Sequence, residues 1–173
     1  TSNAGTVNNG DSVSLQHTSS GGFSTAVNTV LTIGGVSDVF SSTTLAADTV
    51  PDAFSFTDQT GVALSSTITS NTITVSGINA AASISVTSGQ YSINGGAYTS
   101  NAGTVNNGDS VNLQHTSSAN FSTNIDTVLT IGGVSDTFTS ATLAADITPD
   151  AFCFTDQTDV ALNTTITSNI ITV

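Results

Sequence analysis

The sequence repeats itself at long range. Residues 1–75 align with residues 99–173 without a gap, 59 of the 75 aligned positions are identical, and the period is 98 residues. Solenoid repeats have periods of about 20–50 residues, since each repeat is a single supersecondary unit. A period roughly twice as long predicts an array of whole domains.

Two prolines mark the boundary between the repeated units. Pro51 and Pro149 occupy equivalent positions in DTVPDAF and DITPDAF, where a proline can stiffen a linker and open an edge strand. With the boundary placed there, residues 51–148 form one complete repeat. Residues 1–50 are the C-terminal part of one repeat, and residues 149–173 are the N-terminal strands of the next.

Neither flanking piece contains a full set of predicted strands. The segment 76–98 has no second copy in the chain. Two readings follow: the sequence is a window on a longer array, or the part-repeats are completed by neighbouring copies through head-to-tail strand complementation. Either way, the predicted partners are neighbouring repeats or copies of the chain itself, placed end to end.

Composition excludes several classes of protein. Lys and Arg are absent, all 12 acidic residues are Asp, and the formal net charge is −12. Without strong helix formers such as Lys, Arg and Glu, an α-helical protein is not expected. Without cations the chain cannot build a phosphate-binding groove, so we expect no nucleic-acid partner. No apolar run is long enough to predict membrane insertion.

The apolar residues alternate with polar ones over short segments. Phe54 and Phe56 flank Ser55, and the pairs Ile73/Val75 and Ile84/Val86 follow the same pattern, as expected for strands with one buried face. Turn signals such as Asn94-Gly95 separate these segments. The other predicted inward positions are Val111, Leu113, Leu129, Ile131 and Phe138. The pattern predicts an all-β sandwich of about seven or eight strands.

Three segments carry a resemblance to a known type of repeat. PDAFSFTDQTGVALSSTITSNTITVSGINAAASISV, YSINGGAYTSNAGTVNNGDSV and VLTIGGVSDVF resemble the tandem immunoglobulin-like repeats of large secreted or cell-surface bacterial proteins of adhesin type. The resemblance implies an extracellular, non-enzymatic spacer that forms a stalk, fibre or filament on the bacterial surface. The alternative is an adhesin domain that binds a glycan or another surface ligand.

The candidates for chemistry are few. His17 and His115 recur in SLQHTSS and NLQHTSS, where each could be a general base or a metal ligand. No catalytic motif accompanies them, so we expect a structural histidine at a sheet edge and no enzymatic activity. Tyr91 and Tyr98 are the two aromatic residues of one hairpin that could form a platform for a sugar.

The repeated carboxylates suggest one metal site. Asp48 and Asp52 flank the first linker, and Asp146 and Asp150 flank the second. Ca²⁺ takes six to eight oxygen ligands and could combine these carboxylates with backbone carbonyls to stiffen a joint. No cofactor is certain from the sequence; Ca²⁺ at the linkers is the candidate, and a solvated anionic surface is the competing interpretation.

Overall fold

The computed structural model describes residues 5–172, so positions 1–4 and 173 of the two predicted part-repeats lie outside the described residues. Residues 5–172 form eleven β-strands and no helix, which confirms the all-β prediction. The strands are β1 Ala26–Ile33, β2 Val36–Thr43, β3 Gln59–Val62, β4 Thr67–Thr69, β5 Ile73–Thr74, β6 Ala82–Thr87, β7 Gln90–Ile93, β8 Gly103–Val105, β9 Ser110–Thr116, β10 Asn124–Ile131 and β11 Val134–Thr142.

Strands β3 to β11 all lie between residues 51 and 148 and form two sheets. The first sheet has five strands in the order β3-β11-β10-β6-β8, with β3 parallel to β11 and the other pairs antiparallel. In the second sheet β9 is central. Gln114 of β9 pairs with Thr69 of β4 and also with Gln90 of β7, so β4 and β7 lie on opposite edges of β9, and β5 continues the β4 edge.

The prediction of a strand around Phe54 and Phe56 is wrong. Residues 51–58 form no strand, although Phe56 is buried and Phe54 packs against the core. The Phe56 amide donates to the Asp136 carboxylate (2.6 Å), and the Asp58 carboxylate accepts from the Thr139 amide (2.8 Å). Side-chain carboxylates therefore supply the hydrogen-bond partners of these backbone amides, and backbone pairing with β11 begins only at β3. Alternation cannot distinguish these two ways of holding an extended segment.

One core lies between the two sheets. Leu129, Ile131 and Phe138 of the first sheet and Val111 and Leu113 of the second are all 0% exposed. All five residues are among the inward positions that the sequence predicts. Ile84 of β6 and Tyr91 of β7 are also buried in this core.

The β1–β2 hairpin is the first copy of the β10–β11 hairpin and has the same register. Ile33 pairs with Val36 as Ile131 pairs with Val134. The burial is different: Ile33 is 41% exposed, whereas Ile131 is 0% exposed, and Phe40 is exposed where its equivalent Phe138 is not. Local pairing is thus retained in the absence of an opposing sheet.

Residues 149–172 keep the local hydrogen bonds of residues 51–74 but contain no strand. The Asn169 side chain accepts from the Thr155 amide and the Gln157 side chain donates to the Thr167 carbonyl, at 2.7 and 2.8 Å. The equivalent bonds of Asn71 and Gln59 have the same lengths. In the complete repeat β3 pairs with β11 and β4 pairs with β9. Residues 149–172 have no such partner strands among the described residues, so they form no ladder.

Equivalent leucines in the two hairpins test this difference in burial. We expect Leu129→Ala to lower the free energy of unfolding of the complete repeat by about 2–5 kcal/mol, because it opens a cavity in a closed core. Leu31→Ala removes the same atoms from the half-buried copy and should leave that transition nearly unchanged. Urea unfolding of the full chain, followed by tyrosine fluorescence, measures both effects. Equal losses for the two variants would contradict the assignment of the core to residues 51–148.

Candidate functional site: the joint between repeats

The linker that follows the first hairpin is docked on the complete repeat. The Asn79 side chain accepts from the Asp48 amide (2.7 Å) and donates to the Ala46 carbonyl (3.1 Å). The Asp48 carbonyl in turn accepts from the amides of Asn79 and Ala80, both at 3.1 Å. Four hydrogen bonds therefore hold residues 46–48 against the loop between β5 and β6.

A second set of contacts follows Pro51. The Asp52 amide donates to the Ser76 carbonyl, and the Ser76 hydroxyl donates to the Asp52 carboxylate, both at 2.9 Å. Gly77 has a positive φ of 85°, and a Cβ there would lie 2.7 Å from the Asp52 carboxylate. Glycine is therefore needed both for the backbone conformation and for the close approach of the linker.

The tip of the β10–β11 hairpin completes the joint. Gly132 has a φ of 54°, its amide donates to the Ser83 carbonyl, and a Cβ there would overlap the Thr49 carbonyl oxygen and lie 2.8 Å from Pro51 Cδ. Gly34, the equivalent residue of the first hairpin, has a φ of 57° but no neighbour within 4 Å of such a Cβ. The two glycines have the same backbone requirement, and only Gly132 has a linker packed on it.

Sequence reasoning missed the joint. Gly132-Gly133 is a turn signal in the sequence, and nothing in the sequence shows that another segment packs on Gly132. Asn79 lies in the segment 76–98, which has one copy, so comparison of the repeats could not single it out. The signal that the sequence carries is the pair of prolines, which predicts a linker but not the surface on which it docks.

The four carboxylates predicted to bind Ca²⁺ lie at the linkers. Asp48 accepts from the Val50 amide (3.0 Å), Asp146 accepts from the Thr148 amide (2.9 Å), and Asp52 accepts from Ser76. Asp150 lies on the exposed second linker. Within residues 5–172, no group of three or more His, Cys, Asp or Glu side chains is close enough to hold a metal ion. Ca²⁺ binding stays a prediction.

Other repeated aspartates have a role that the sequence did not reveal. Asp58 and Asp136 tie the segment before β3 to β11, as described above. Asp109 accepts from the Asn106 amide (2.7 Å) and the Asn94 side chain (2.8 Å), and these hydrogen bonds lower the pKa of its carboxyl group. These carboxylates act as acceptors for backbone and amide N–H groups that have no ladder partner.

His115 connects the two sheets from inside the core. Its Nδ1 lies 2.8 Å from Thr127 Oγ1 of β10, and its Nε2 lies 2.6 Å from Ser140 Oγ of β11. The ring stacks on Phe138 with 5.0 Å between centroids. The sequence predicts a histidine at a sheet edge; the structure places His115 between the two sheets, where it bridges them.

The hydrogen bonds around His115 define its tautomer. The Thr127 hydroxyl donates to the Ser88 carbonyl (2.8 Å), so it must accept from His115 Nδ1–H, and Nε2 then accepts from the Ser140 hydroxyl. This arrangement contains a serine next to a base, as a hydrolase requires. Ser140 is 0% exposed, however, and no substrate atom can reach its Oγ in this structure.

The first copy of this cluster is built in the same way. His17 lies 2.9 Å from Thr29 Oγ1 and 2.6 Å from Ser42 Oγ, and it stacks on Phe40 at 4.7 Å. The cluster therefore forms from one hairpin and residues 12–18, the segment equivalent to β9, which is not a strand here. It is half-buried in the first copy, because residues 5–50 form one hairpin and no second sheet that would cover it.

The two tyrosines of the predicted sugar platform do not form one. Tyr91 is buried, and its hydroxyl donates to the Asn101 carbonyl (2.8 Å). Tyr98 is half-buried, and its hydroxyl oxygen accepts from the Asn112 side chain (2.9 Å). Both rings serve the packing of the region between β7 and β9.

No protein-family model matches the chain, and no curated protein matches its sequence. Among solved structures, the chain is similar to the crystal structure of domains 4 and 5 of the S-layer protein SbsC, with a TM-score of 0.38 and 12% sequence identity over 69% of this chain. The chain spans 58% of the length of that structure. The described residues contain no helix long and apolar enough to cross a membrane.

Burial of His115 makes stability depend on pH. Desolvation lowers the pKa of its imidazole, and the charge of Asp126 opposes this only partly. The unfolded chain, with an ordinary histidine pKa of about 6.5, therefore binds the proton first as pH falls. We expect full stability above that pH and a progressive loss below it. Urea midpoints between about pH 7.5 and 5 should show this slope, reduced in His115→Gln and retained in His17→Gln. An unchanged slope in His115→Gln would contradict the assignment.

Chelation tests the Ca²⁺ prediction. If Ca²⁺ binds the linker carboxylates only in the folded chain, EDTA should lower the melting temperature and added Ca²⁺ should restore it, because the bound ion stabilises the ordered state by mass action. The matched variant is Asp48→Asn, which keeps an acceptor for the Val50 amide but removes one charged ligand. Identical melting with and without EDTA would leave these carboxylates as hydrogen-bond acceptors on an anionic surface.

Proposed function

We propose that the chain is part of a non-enzymatic, extracellular structural array on a bacterial surface, in which immunoglobulin-like repeats of 98 residues form a stalk, fibre or filament. The bacterial surface location is proposed from the resemblance to adhesin-type repeats. The structural role is proposed from the joint. Binding of a glycan or surface ligand stays the alternative from the sequence, and no described feature favours it.

The docked linker is the observation that supports this role. A flexible linker lets neighbouring domains reorient, and the default expectation for two domains is relative motion. Here residues 46–52 are held by hydrogen bonds to Asn79 and Ser76 and by contact with Gly132. A joint of this kind transmits orientation from one repeat to the next, which a load-bearing or spacing array requires.

The strand order supports the immunoglobulin-like assignment. Immunoglobulin domains pair strands B, E and D in one sheet and C, F and G in the other. In the complete repeat, β4 and β5 together, β9 and β7 follow the first order, and β6, β10 and β11 follow the second. The first strand, β3, pairs in parallel with the last strand, β11, at the edge of the second of these sheets.

The same topology favours a continuous array over pairing of the two bare ends. In the complete repeat β6 lies between β10 and the edge strand β8 of the five-stranded sheet. Residues 82–87 have no equivalent in 5–50 or in 149–172. Two part-repeats joined end to end would therefore leave the position of β6 vacant, whereas each repeat of a longer array contains its own equivalent of β6.

Equivalent glycines provide the test of the joint. Gly132→Ala and Gly34→Ala impose the same cost of an alanine at positive φ, about 1 kcal/mol, but only Gly132→Ala displaces the linker. The distance distribution between spin labels at Val36→Cys and Ala97→Cys, on either side of the joint, can be measured by electron paramagnetic resonance. The background is Cys153→Ser, which restores the serine of the other copy.

We expect one narrow distance distribution for the parent chain and for Gly34→Ala, and a broad one for Gly132→Ala. Asn79→Ala, which removes two of the hydrogen bonds to the linker, should broaden it as well. A distribution that is already broad in the parent chain would show that the joint does not fix orientation, and the proposed spacer role would then lose its support.

A further inference from the structure

The chain enters and leaves the complete repeat along one edge of the five-stranded sheet. Pro51 lies against Gly132, at the hairpin tip that precedes β11, and β3 then pairs in parallel with the end of β11. Residues 51–62 therefore run beside residues 132–143 in the same direction. The entering chain lies at one end of this contact, and the leaving chain lies at the other.

Backbone pairing and apolar packing hold the second half of this contact. Gln59 of β3 pairs with Ser140 of β11, and the Leu143 amide donates to the Val62 carbonyl (3.0 Å) just beyond the end of β11. Phe56 is buried, and Val62 packs against the core. Sliding β3 along β11 would therefore break the ladder and also draw apolar side chains out of the core.

Two carboxylates hold the first half, before β3 begins. Asp136 of β11 accepts from the Phe56 amide, and Asp58 accepts from the Thr139 amide of β11, so each segment contributes one carboxylate to the other. Hydrogen bonds to an ionised acceptor are stronger than those between neutral groups. An aspartate is present at the equivalent of each position in the other copy.

The parallel direction decides how tension acts on these bonds. When the start of one strand and the end of its parallel neighbour are pulled apart, the two strands are drawn along each other in opposite directions, and all the bonds between them are loaded together. In an antiparallel hairpin such as β10–β11, the two free ends lie side by side, so the same tension opens one pair at a time.

We propose that the contact between residues 51–62 and β11 is a mechanical shear clamp, which lets the complete repeat stay folded when its two linkers are pulled apart. The β3–β11 ladder and the two carboxylates, Asp58 and Asp136, share the load. This mechanical role rests on the proposed function and deepens it, because tension along an array enters and leaves a repeat through its linkers.

Single-molecule pulling on the full chain tests the clamp through the direction of force. Handles attached to Ala53→Cys and Ala145→Cys load the contact in shear, whereas handles on Ala53→Cys and Ser135→Cys lie at the same end of it and open it from that end. All three sites are exposed, and the background is Cys153→Ser. We expect an unfolding force at least about twofold higher in shear, because the bonds then break together. Unfolding of the complete repeat is recognised by a release of about 3.5 Å of chain per residue between the handles.

A pair of aspartate variants separates the clamp from ordinary stabilisation. Asp58→Ala removes a bond that shear loads, and Asp109→Ala is the matched control, because it removes the hydrogen bonds from Asn106 and Asn94 at a turn outside the contact. Both variants should lower the urea midpoint. Only Asp58→Ala should lower the unfolding force in shear, because forced unfolding follows the rate of unfolding and not the equilibrium stability.

Equal unfolding forces in the two pulling directions would overturn the clamp. So would a shear force that Asp58→Ala lowers no more than Asp109→Ala does. Handles at Ala53 and beyond leave the linker before Pro51 unloaded, so the pulling experiment does not depend on the joint. The spin-label distances judge the joint and the proposed spacer role separately, and the two failures are distinguishable.

Discussion

Burial of the β10–β11 hairpin against the second sheet is the interaction on which the rest of the repeat depends. Its apolar face contributes Leu129, Ile131 and Phe138 to the core, β3 and β6 pair with its two edges, and the second sheet covers that face. The β1–β2 hairpin shows what pairing alone achieves. It keeps its register, but its apolar face is exposed. Hydrogen bonds between neighbouring strands set the shape of the hairpin, whereas the second sheet supplies the hydrophobic stabilisation.

A core this small in a chain rich in Ser and Thr requires that buried polar groups have partners. His115 links β9 to β10 and β11 through two hydroxyl groups, and Ser117 accepts from the Ser66 amide while its own hydroxyl donates to the Ala63 carbonyl. Among the described residues, no buried side-chain nitrogen or oxygen lacks a hydrogen-bond partner. Polar side chains thus replace ladder pairing where the strands are short or interrupted.

At the joint, on the surface of the repeat, polar side chains also bind backbone groups that have no ladder partner. Asn79, with both a donor and an acceptor in one side chain, can bind the two kinds of backbone group that the linker presents at Asp48 and Ala46. Gly132 and Gly77 let the linker approach closely, so short-range packing accompanies the hydrogen bonds. One end of the complete repeat therefore receives the chain segment that precedes it.

The sequence by itself determined the all-β class and the inward face of most strands, because alternation with a period of two is a local property of an extended chain. It also predicts linkers at Pro51 and Pro149. Only the tertiary structure decided that the segment with Phe54 and Phe56 is held by Asp136 and Asp58 outside any ladder, that His115 bridges two sheets, and that Asn79 and Gly132 receive a linker. These features bring together residues distant in sequence, and no local pattern specifies which distant backbone group a side chain will meet.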